Sequence, residues 1–184
     1  QTCALPIWLW AKVWQAACRV EELPGQGDYV PYDIGTESII LVRTDADTIR
    51  GYYNVCLHRG RRLTEGCGHT NQFYCRFHGW SWNIDGTNRV CLGPEDWSGA
   101  LTDESLTMKQ VKVGLWGGWV WINMDPDCQP FEQFMDPMKR MCDLYEFDKL
   151  RVAWHRSVEV PANWKTTVGA FTEFYHVQKI GRAH

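Results

Sequence analysis

Neither sign of charge dominates this sequence of 184 residues, which carries a formal net charge of −3. Nucleic-acid-binding domains usually have a strong basic excess, so the charge balance favours no nucleic-acid partner. No apolar run approaches the ~20 residues that a membrane-spanning helix needs. The pattern of a signal peptide, a basic segment before an apolar stretch and a cleavage site, is also missing. We therefore expect a cytoplasmic protein with no nucleic-acid or membrane partner.

Disulfide spacing is missing too, although the chain contains eight Cys. In a secreted protein these Cys would suggest a disulfide framework, but they are scattered without clear pairing, which fits a reducing compartment better. The length allows one domain or two small ones. With 45% apolar residues and eleven Trp, the chain has enough large side chains for an aromatic core.

Metal-binding residue types are concentrated in residues 55–80, VCLHRGRRLTEGCGHTNQFYCRFHGW. Cys56 and His58 form one pair, and Cys75 and His78 form a second pair after sixteen intervening residues. Each pair offers one thiolate and one imidazole. In a Rieske [2Fe-2S] cluster two Cys bind one iron and two His bind the other. The pattern therefore favours a Rieske cluster.

A structural zinc ion is the main alternative, since zinc accepts two Cys and two His. Zinc fingers usually group the two Cys in one pair and the two His in the other, whereas both pairs here are mixed. Mixed pairs suit a cluster with two chemically distinct irons better. Zinc stays open as an alternative at this point.

Runs of β-branched and aromatic residues predict a mainly β fold of short antiparallel strands. Two helices are predicted after these strands, one from the apolar spacing after Pro130 and one capped by Asn163 and running to Val177. We expect hairpins over 38–43 with 48–56, over 81–84 with 87–91, and over 107–113 with 116–124 joined through Gly114, and single strands over 72–77 and 150–160.

Four segments together resemble the α subunit of a Rieske non-heme iron oxygenase of the aromatic-ring-hydroxylating type. They are CLHRGRRL, CRFHGWSWNIDG, GGWVWINM and NWK followed by E-x-Y-H-V. The resemblance implies an antiparallel Rieske β-sandwich domain followed by the start, a strand and a helix, of an α+β helix-grip catalytic domain. The implied divisions are an N-terminal segment 8–28, the Rieske domain 29–124, a connecting helix 125–149 and the catalytic domain from 150 to 179.

The same resemblance implies roles for individual residues. Cys56, His58, Cys75 and His78 would bind the cluster, and His176 would be the first His ligand of a mononuclear non-heme Fe(II). Glu173 matches the catalytic acidic residue that bridges the cluster of one subunit to the iron of the next. Trp80 and Arg59 are candidates for the cluster surround. The basic run of Arg59, Arg61 and Arg62 is a candidate contact for an acidic ferredoxin, although such a run is more often a solvated loop.

The implied activity is O2-dependent hydroxylation of a small organic substrate, aromatic or related. Electrons would come from NAD(P)H through a reductase or ferredoxin. A homo-oligomer is implied, a trimer with or without β subunits. An electron carrier of the Rieske ferredoxin type is the alternative, but it would have no use for the chain after about residue 125. Respiratory Rieske proteins have an extra Cys pair at positions that are Arg61 and Phe77 here, which argues against that class.

The sequence departs from the family pattern in three ways. Glu173 stands where Asp is usual, and Gly181 stands where the second His ligand is expected. His184 is no substitute for that ligand. The carboxylate ligand lies much further along in the family. This chain alone is therefore not expected to assemble the catalytic iron site.

The two chain ends are expected to derive from a sequencing adapter. A permissible coding of Cys3 to Ile7 has a reverse complement that encodes Ile-Gly-Arg-Ala, and His follows once the preceding codon is included. Together these are the C-terminal pentapeptide IGRAH. We expect residues 1–7 and 180–184 to be adapter translations around a native fragment of about residues 8–179. The raw nucleotide read tests this expectation.

The ligand assignment predicts that Cys75→Ser abolishes the Rieske EPR signal, because serine cannot supply the thiolate that the cluster needs. EPR of the purified, reduced variant measures this. An unchanged signal would refute the assignment.

Overall fold

Short β-strands are the main regular structure of the chain, as the β-branched and aromatic runs predict. The computed structural model describes residues 8–172. Their strands, in chain order, are β1 Gln15–Arg19, β2 Asp28–Ile34, β3 Glu37–Arg43, β4 Ile49–Tyr53, β5 Gly68–His69, β6 Gln72–Tyr74, β7 Ser81–Asn83, β8 Asn88–Val90, β9 Gln110–Trp116 and β10 Trp119–Asn123.

Two antiparallel sheets contain these strands. The larger sheet has the order β1-β10-β9-β4-β3-β2-β5, and the smaller has the order β6-β7-β8. The hairpin β3–β4 pairs Ile40 with Tyr52, and the hairpin β7–β8 turns at the predicted Asp85-Gly86. The mainly β antiparallel fold is confirmed.

The core lies on both faces of β3. Ile40 and Val42 belong to a cluster that also contains Tyr52, Phe73, Trp80 and Trp82, whereas Ile39 and Leu41 belong to a second cluster with Val120 and Ile122. A strand covered on both faces has a continuous apolar run, as in SIILVR, instead of alternating polar residues. The first cluster includes Cys56 and Cys75, so the candidate ligands adjoin the core.

Helices are few and lie mainly after the strands. A short helix Asp103–Leu106 precedes β9, the helix Phe131–Cys142 follows β10, and the helix Trp164–Thr172 follows Asn163. The Asn163 side chain accepts a hydrogen bond of 3.0 Å from Lys165 N, which confirms the predicted cap. Single 3-10 turns cover Val20–Glu22, Pro94–Trp97, Asp143–Tyr145 and Phe147–Lys149. In the described part of the chain, every helix is too short or too polar to cross a bilayer.

Two compact units divide the chain, with the boundary between Arg151 and Val152. The first unit contains both sheets and the helix Phe131–Cys142. Its larger sheet includes β1, which pairs with β10, so the sheet begins within the segment 8–28. The second unit, as far as residue 172, contains an irregular segment and the helix Trp164–Thr172.

Three local features differ from the predictions. Gly114 lies inside β9 opposite Trp121, and Gly117 and Gly118 form the turn instead. The strand β2 was not predicted from the sequence, and Pro31, a residue that central strands do not tolerate, lies in its middle. Strand β5 pairs only with Asp28 and Tyr29, so β2 is an edge from Val30 onward and tolerates the proline.

The predicted strand over 150–160 is the third difference. These residues form no strand, and they pair with no other strand of residues 8–172. Their apolar side chains are exposed, with Trp154 at 75% and Val158 at 83%. An alternating pattern is stabilised as a strand only by cross-strand partners, so alternation alone does not form one here.

The position of Gly114 predicts that Gly114→Ala destabilises the first unit. A Cβ atom at residue 114 would overlap the ring of Phe131, which packs against Trp14 and Met135. Forcing that buried ring aside should cost about 1–3 kcal/mol. Urea unfolding measures the change. Gly66→Ala is the matched control, because its Cβ meets nothing within 4 Å. Equal midpoints for the two variants would contradict this packing.

Candidate metal centre

Two loops with the same backbone pattern carry the candidate ligands. The first clip, residues 56–61, follows β4, and the second clip, residues 75–80, joins β6 to β7. In each clip the Cys N–H donates to the carbonyl five residues on, at 2.7 Å from Cys56 to Arg61 and 2.8 Å from Cys75 to Trp80. The carbonyl of each Cys accepts from a glycine N–H four residues on, at 2.9 Å in both clips.

The glycine in each clip has a backbone conformation that other residues rarely adopt. Gly60 has φ of 71° and Gly79 has φ of 77°, both in the left-handed region. A side chain at Gly79 would also meet Leu92 at 3.1 Å. The glycines therefore allow the backbone of each clip to turn back sharply after its candidate ligand residues.

The two thiols are buried next to each other. Cys56 is 3% exposed and Cys75 is 2% exposed. The thiols hydrogen-bond to each other, and each sulfur also accepts from two backbone N–H groups of its own clip. The donors are His58 and Arg59 for Cys56, and Phe77 and His78 for Cys75. Such concave sets of N–H groups bind anions and the sulfur ligands of iron-sulfur clusters.

These contacts act in opposite directions on the thiol pKa values. Burial raises the pKa of Cys56, and the hydrogen bond with Cys75 raises it further. Burial also acts to raise the pKa of Cys75, but the N–H groups of Phe77 and His78 and the Cys56 thiol outweigh it, so this pKa falls below its usual value. The pair can therefore hold negative charge on sulfur inside the core.

The two imidazoles lie together on the outer side of the thiols. The ring centroids of His58 and His78 are 4.7 Å apart, at an angle of 63°. Desolvation and the neighbouring His78 lower the pKa of His58, which favours the neutral form that binds metals.

The donors present fit a Rieske cluster in their chemistry. The Nδ1 atom of His58 is buried and has no hydrogen-bond partner, as expected of a nitrogen whose lone pair serves a metal. Two adjacent sulfurs and two adjacent imidazoles form the donor set of a centre with one sulfur-bound and one nitrogen-bound iron. Within residues 8–172, no three His, Cys, Asp or Glu side chains converge to hold a single ion.

Aromatic side chains cover the first imidazole. Trp80 stacks on His58 with centroids 5.1 Å apart and planes at 14°, and Trp97 meets both rings edge-on at 5.9 Å. Beside this cover lies an open groove of about 850 Å³. The two imidazoles line it together with Tyr74, Phe77, Leu92 and Trp97. The imidazole side therefore faces a partly apolar groove, while the thiol side faces the core.

Asn54 fixes the chain that leaves the first clip. Its buried side chain accepts from Leu63 N at 3.0 Å and Thr64 N at 3.1 Å, and donates to Thr64 O at 2.8 Å and Ser38 Oγ at 3.1 Å. The amide thus satisfies backbone groups that have no strand partner.

The predicted site residues have different outcomes. The structure pairs the two candidate thiols with each other and the two candidate imidazoles with each other, and Trp80 stacks on His58. Arg59 is exposed. Glu173 and His176 lie outside the described residues. Trp97, Asn54 and Arg76 also belong to the surroundings of the site, and the sequence analysis missed all three. The only signal for Arg76 was its place between Cys75 and His78.

Comparison with known proteins also indicates a Rieske domain. The family profile of the Rieske [2Fe-2S] domain matches residues 13–96. The oxygenase subunit of carnitine monooxygenase from Escherichia coli (strain K12) is 33% identical over 179 residues, which are 96% of this chain and 47% of that subunit.

Solved structures of similar fold include two oxygenases. A quaternary ammonium Rieske monooxygenase in complex with L-carnitine has a TM-score of 0.78 and 31% identity, covering 91% of this chain and 48% of that one. Naphthalene 1,2-dioxygenase with bound indole has a TM-score of 0.79 and 26% identity, covering 91% and 39%. The chain spans about half the length of the curated carnitine monooxygenase subunits that it matches.

The contacts of Asn54 predict that Asn54→Ala destabilises the first clip. Two buried backbone N–H groups would lose their acceptor, which should cost about 2–4 kcal/mol in unfolding free energy. Urea unfolding of the cluster-free chain measures this. Asn83→Ala is the control, because Asn83 bonds an exposed Thr87 hydroxyl. If Asn54→Ala lowers the unfolding free energy no more than the control does, the Asn54 side chain does not fix the chain after the first clip.

Proposed function

Since the chain belongs to the family of Rieske oxygenase α subunits, we propose that Cys56, His58, Cys75 and His78 bind its [2Fe-2S] cluster. The observation that supports this assignment is the pair of matching clips, which bring two thiols together inside the core and two imidazoles together outside it. The cluster and a non-heme iron are the cofactors of this family.

The intact protein is proposed to be the terminal oxygenase component of a Rieske system. Residues 29–124 would be its Rieske domain, 125–149 the connecting helix and 150–179 the start of the catalytic domain. The proposed reaction is O2-dependent hydroxylation of a small organic substrate, with electrons from NAD(P)H through a reductase or ferredoxin. By their names, relatives of similar identity act on carnitine, glycine betaine and salicylate, which are all small organic molecules.

The residues around the ligands would prepare the site for its cofactor. The four backbone N–H groups at the sulfurs stabilise negative charge there, and the stacked Trp80 keeps water from one face of His58. When bound, the cluster supplies a store for one electron, at a potential that depends on hydrogen bonds to sulfur and on exposure. Neutral imidazoles can bind through one ring nitrogen and donate from the other.

The open groove lined by the two imidazoles, the imidazole groove, is the proposed side from which electrons leave the cluster. His58 and His78 reach solvent there, whereas the thiols do not. A neighbouring subunit that places Glu173 against one imidazole would connect it to His176 on its own iron. This arrangement requires at least two subunits, and we propose a homo-oligomer, a trimer with or without β subunits.

The bridging role predicts that Glu173→Ala in the intact protein leaves both metals bound but slows electron transfer between subunits. Loss of an outer partner of a metal-bound His typically costs about 10–100-fold in activity. Rapid-mixing measurement of cluster reoxidation, with metal analysis, checks this.

Glu159→Ala serves as the control, because it removes the same carboxylate from an exposed position in the catalytic segment. Coupled turnover at the normal rate in Glu173→Ala would rule out the bridge and, with it, this proposed electron path.

A further inference from the structure

A second cavity, the basic cleft, lies beside the two clips. It has a volume of about 340 Å³ and is lined by Arg61, Arg62 and Arg76, by Glu65 and Cys67, and by neighbouring residues. None of its lining residues lines the imidazole groove. The clips thus have two separate faces, one with imidazoles and one with guanidinium groups.

The guanidinium groups of the basic cleft differ in whether they form an ion pair. Arg62 donates to both carboxylate oxygens of Asp33, at 2.7 and 2.8 Å, and to Thr64 O at 3.0 Å. Its charge is therefore already compensated. No ion pair within residues 8–172 involves Arg61 or Arg76. Arg61 lies over the ring of Phe77 at 6.0 Å, and both side chains are exposed. Glu65 is the one acidic side chain among the lining residues.

The basic cleft is close to the thiol side of the site. Arg76 is the residue after Cys75, and the carbonyl of Arg61 accepts from the N–H of Cys56 at 2.7 Å. A molecule held by these two arginines would therefore lie close to the backbone of both cysteines. It would leave the imidazole groove free for another contact.

We propose that the basic cleft is the docking site of the electron-donating protein, which places a carboxylate between Arg61 and Arg76. This inference rests on the proposed function, because only a cluster-bearing chain needs such a donor. Guanidinium groups recognise carboxylates through paired hydrogen bonds. Electrons would enter by the thiol side and leave by the imidazole side, so donor and neighbouring subunit need not compete.

An acidic protein suits the basic cleft better than a small free anion. Two exposed guanidinium groups are screened by salt and hold a single small anion weakly. The same charges at the rim of a protein interface steer the partner and raise its association rate. From the sequence alone, Arg59, Arg61 and Arg62 are the candidates for this contact. The ion pair with Asp33 removes Arg62 from that set, and Arg76 takes its place.

The test uses the full chain with its cluster reconstituted and an acidic plant-type [2Fe-2S] ferredoxin as the donor. Stopped-flow absorbance measures cluster reduction in the chain and in the double variant Arg61→Gln/Arg76→Gln. The double variant should react about 10-fold more slowly or worse at low ionic strength. The difference should vanish near 1 M salt, where the screening length is about 3 Å. Glu65→Gln should change the rate in the opposite direction.

Controls separate docking from damage to the site. Arg89→Gln removes the same charge from an exposed position outside both cavities and should leave the rate unchanged. Photoreduced deazaflavin, an uncharged reductant, should reduce all variants equally. An unchanged ferredoxin rate in the double variant, or slowing by Arg89→Gln or with deazaflavin, overturns the proposal.

If the proposed function is wrong, the unsubstituted chain shows no Rieske spectrum after reconstitution, before any ferredoxin is added. Ferredoxin affinity is therefore also measured on the cluster-free chain by light scattering or interferometry. There the double variant should bind at least about 10-fold more weakly at low salt. Equal affinity would overturn the docking site whatever the cluster does.

Discussion

The hydrogen bond from each candidate ligand cysteine to the carbonyl five residues on is the constraint on which the site depends. It closes Cys56 to Arg61 and Cys75 to Trp80 into loops of one shape. Closure directs backbone N–H groups at each sulfur and presents one imidazole from each loop. The strands β4, β6 and β7 hold the two loops against a shared core. The fold therefore serves to bring two short loops together with their thiols inside and their imidazoles outside.

This inside-outside division gives the two ends of the site different surroundings. Burial and N–H groups surround the thiols, whereas Trp80 and Trp97 shield one imidazole beside an open groove. The basic cleft is separate from the imidazole groove and from the core. It lies next to the backbone of both cysteines. The proposed electron path needs one accessible face for the donor and another for the neighbouring subunit, and these loops have two such faces.

Local sequence signals predicted the elements that local physics controls. Mixed Cys/His spacing indicated the two clips, Asp85-Gly86 indicated a hairpin, and Asn163 indicated a helix cap. Contacts between distant residues were beyond such signals. Gly114 was assigned to a turn because nothing nearby reveals the Phe131 ring that needs its bare Cα. Trp97 meets His58 only after the chain has passed through four more strands, and residues 150–160 alternate without any partner strand in the described part of the chain.

The most direct test of the central claim is pulsed EPR on the reconstituted, reduced chain, with and without ¹⁵N-labelled histidine, together with iron and sulfide analysis. The ligand arrangement predicts two irons and two acid-labile sulfides per chain, with couplings from two histidine nitrogens. A single zinc ion without sulfide, or a cluster with no histidine coupling, would contradict it.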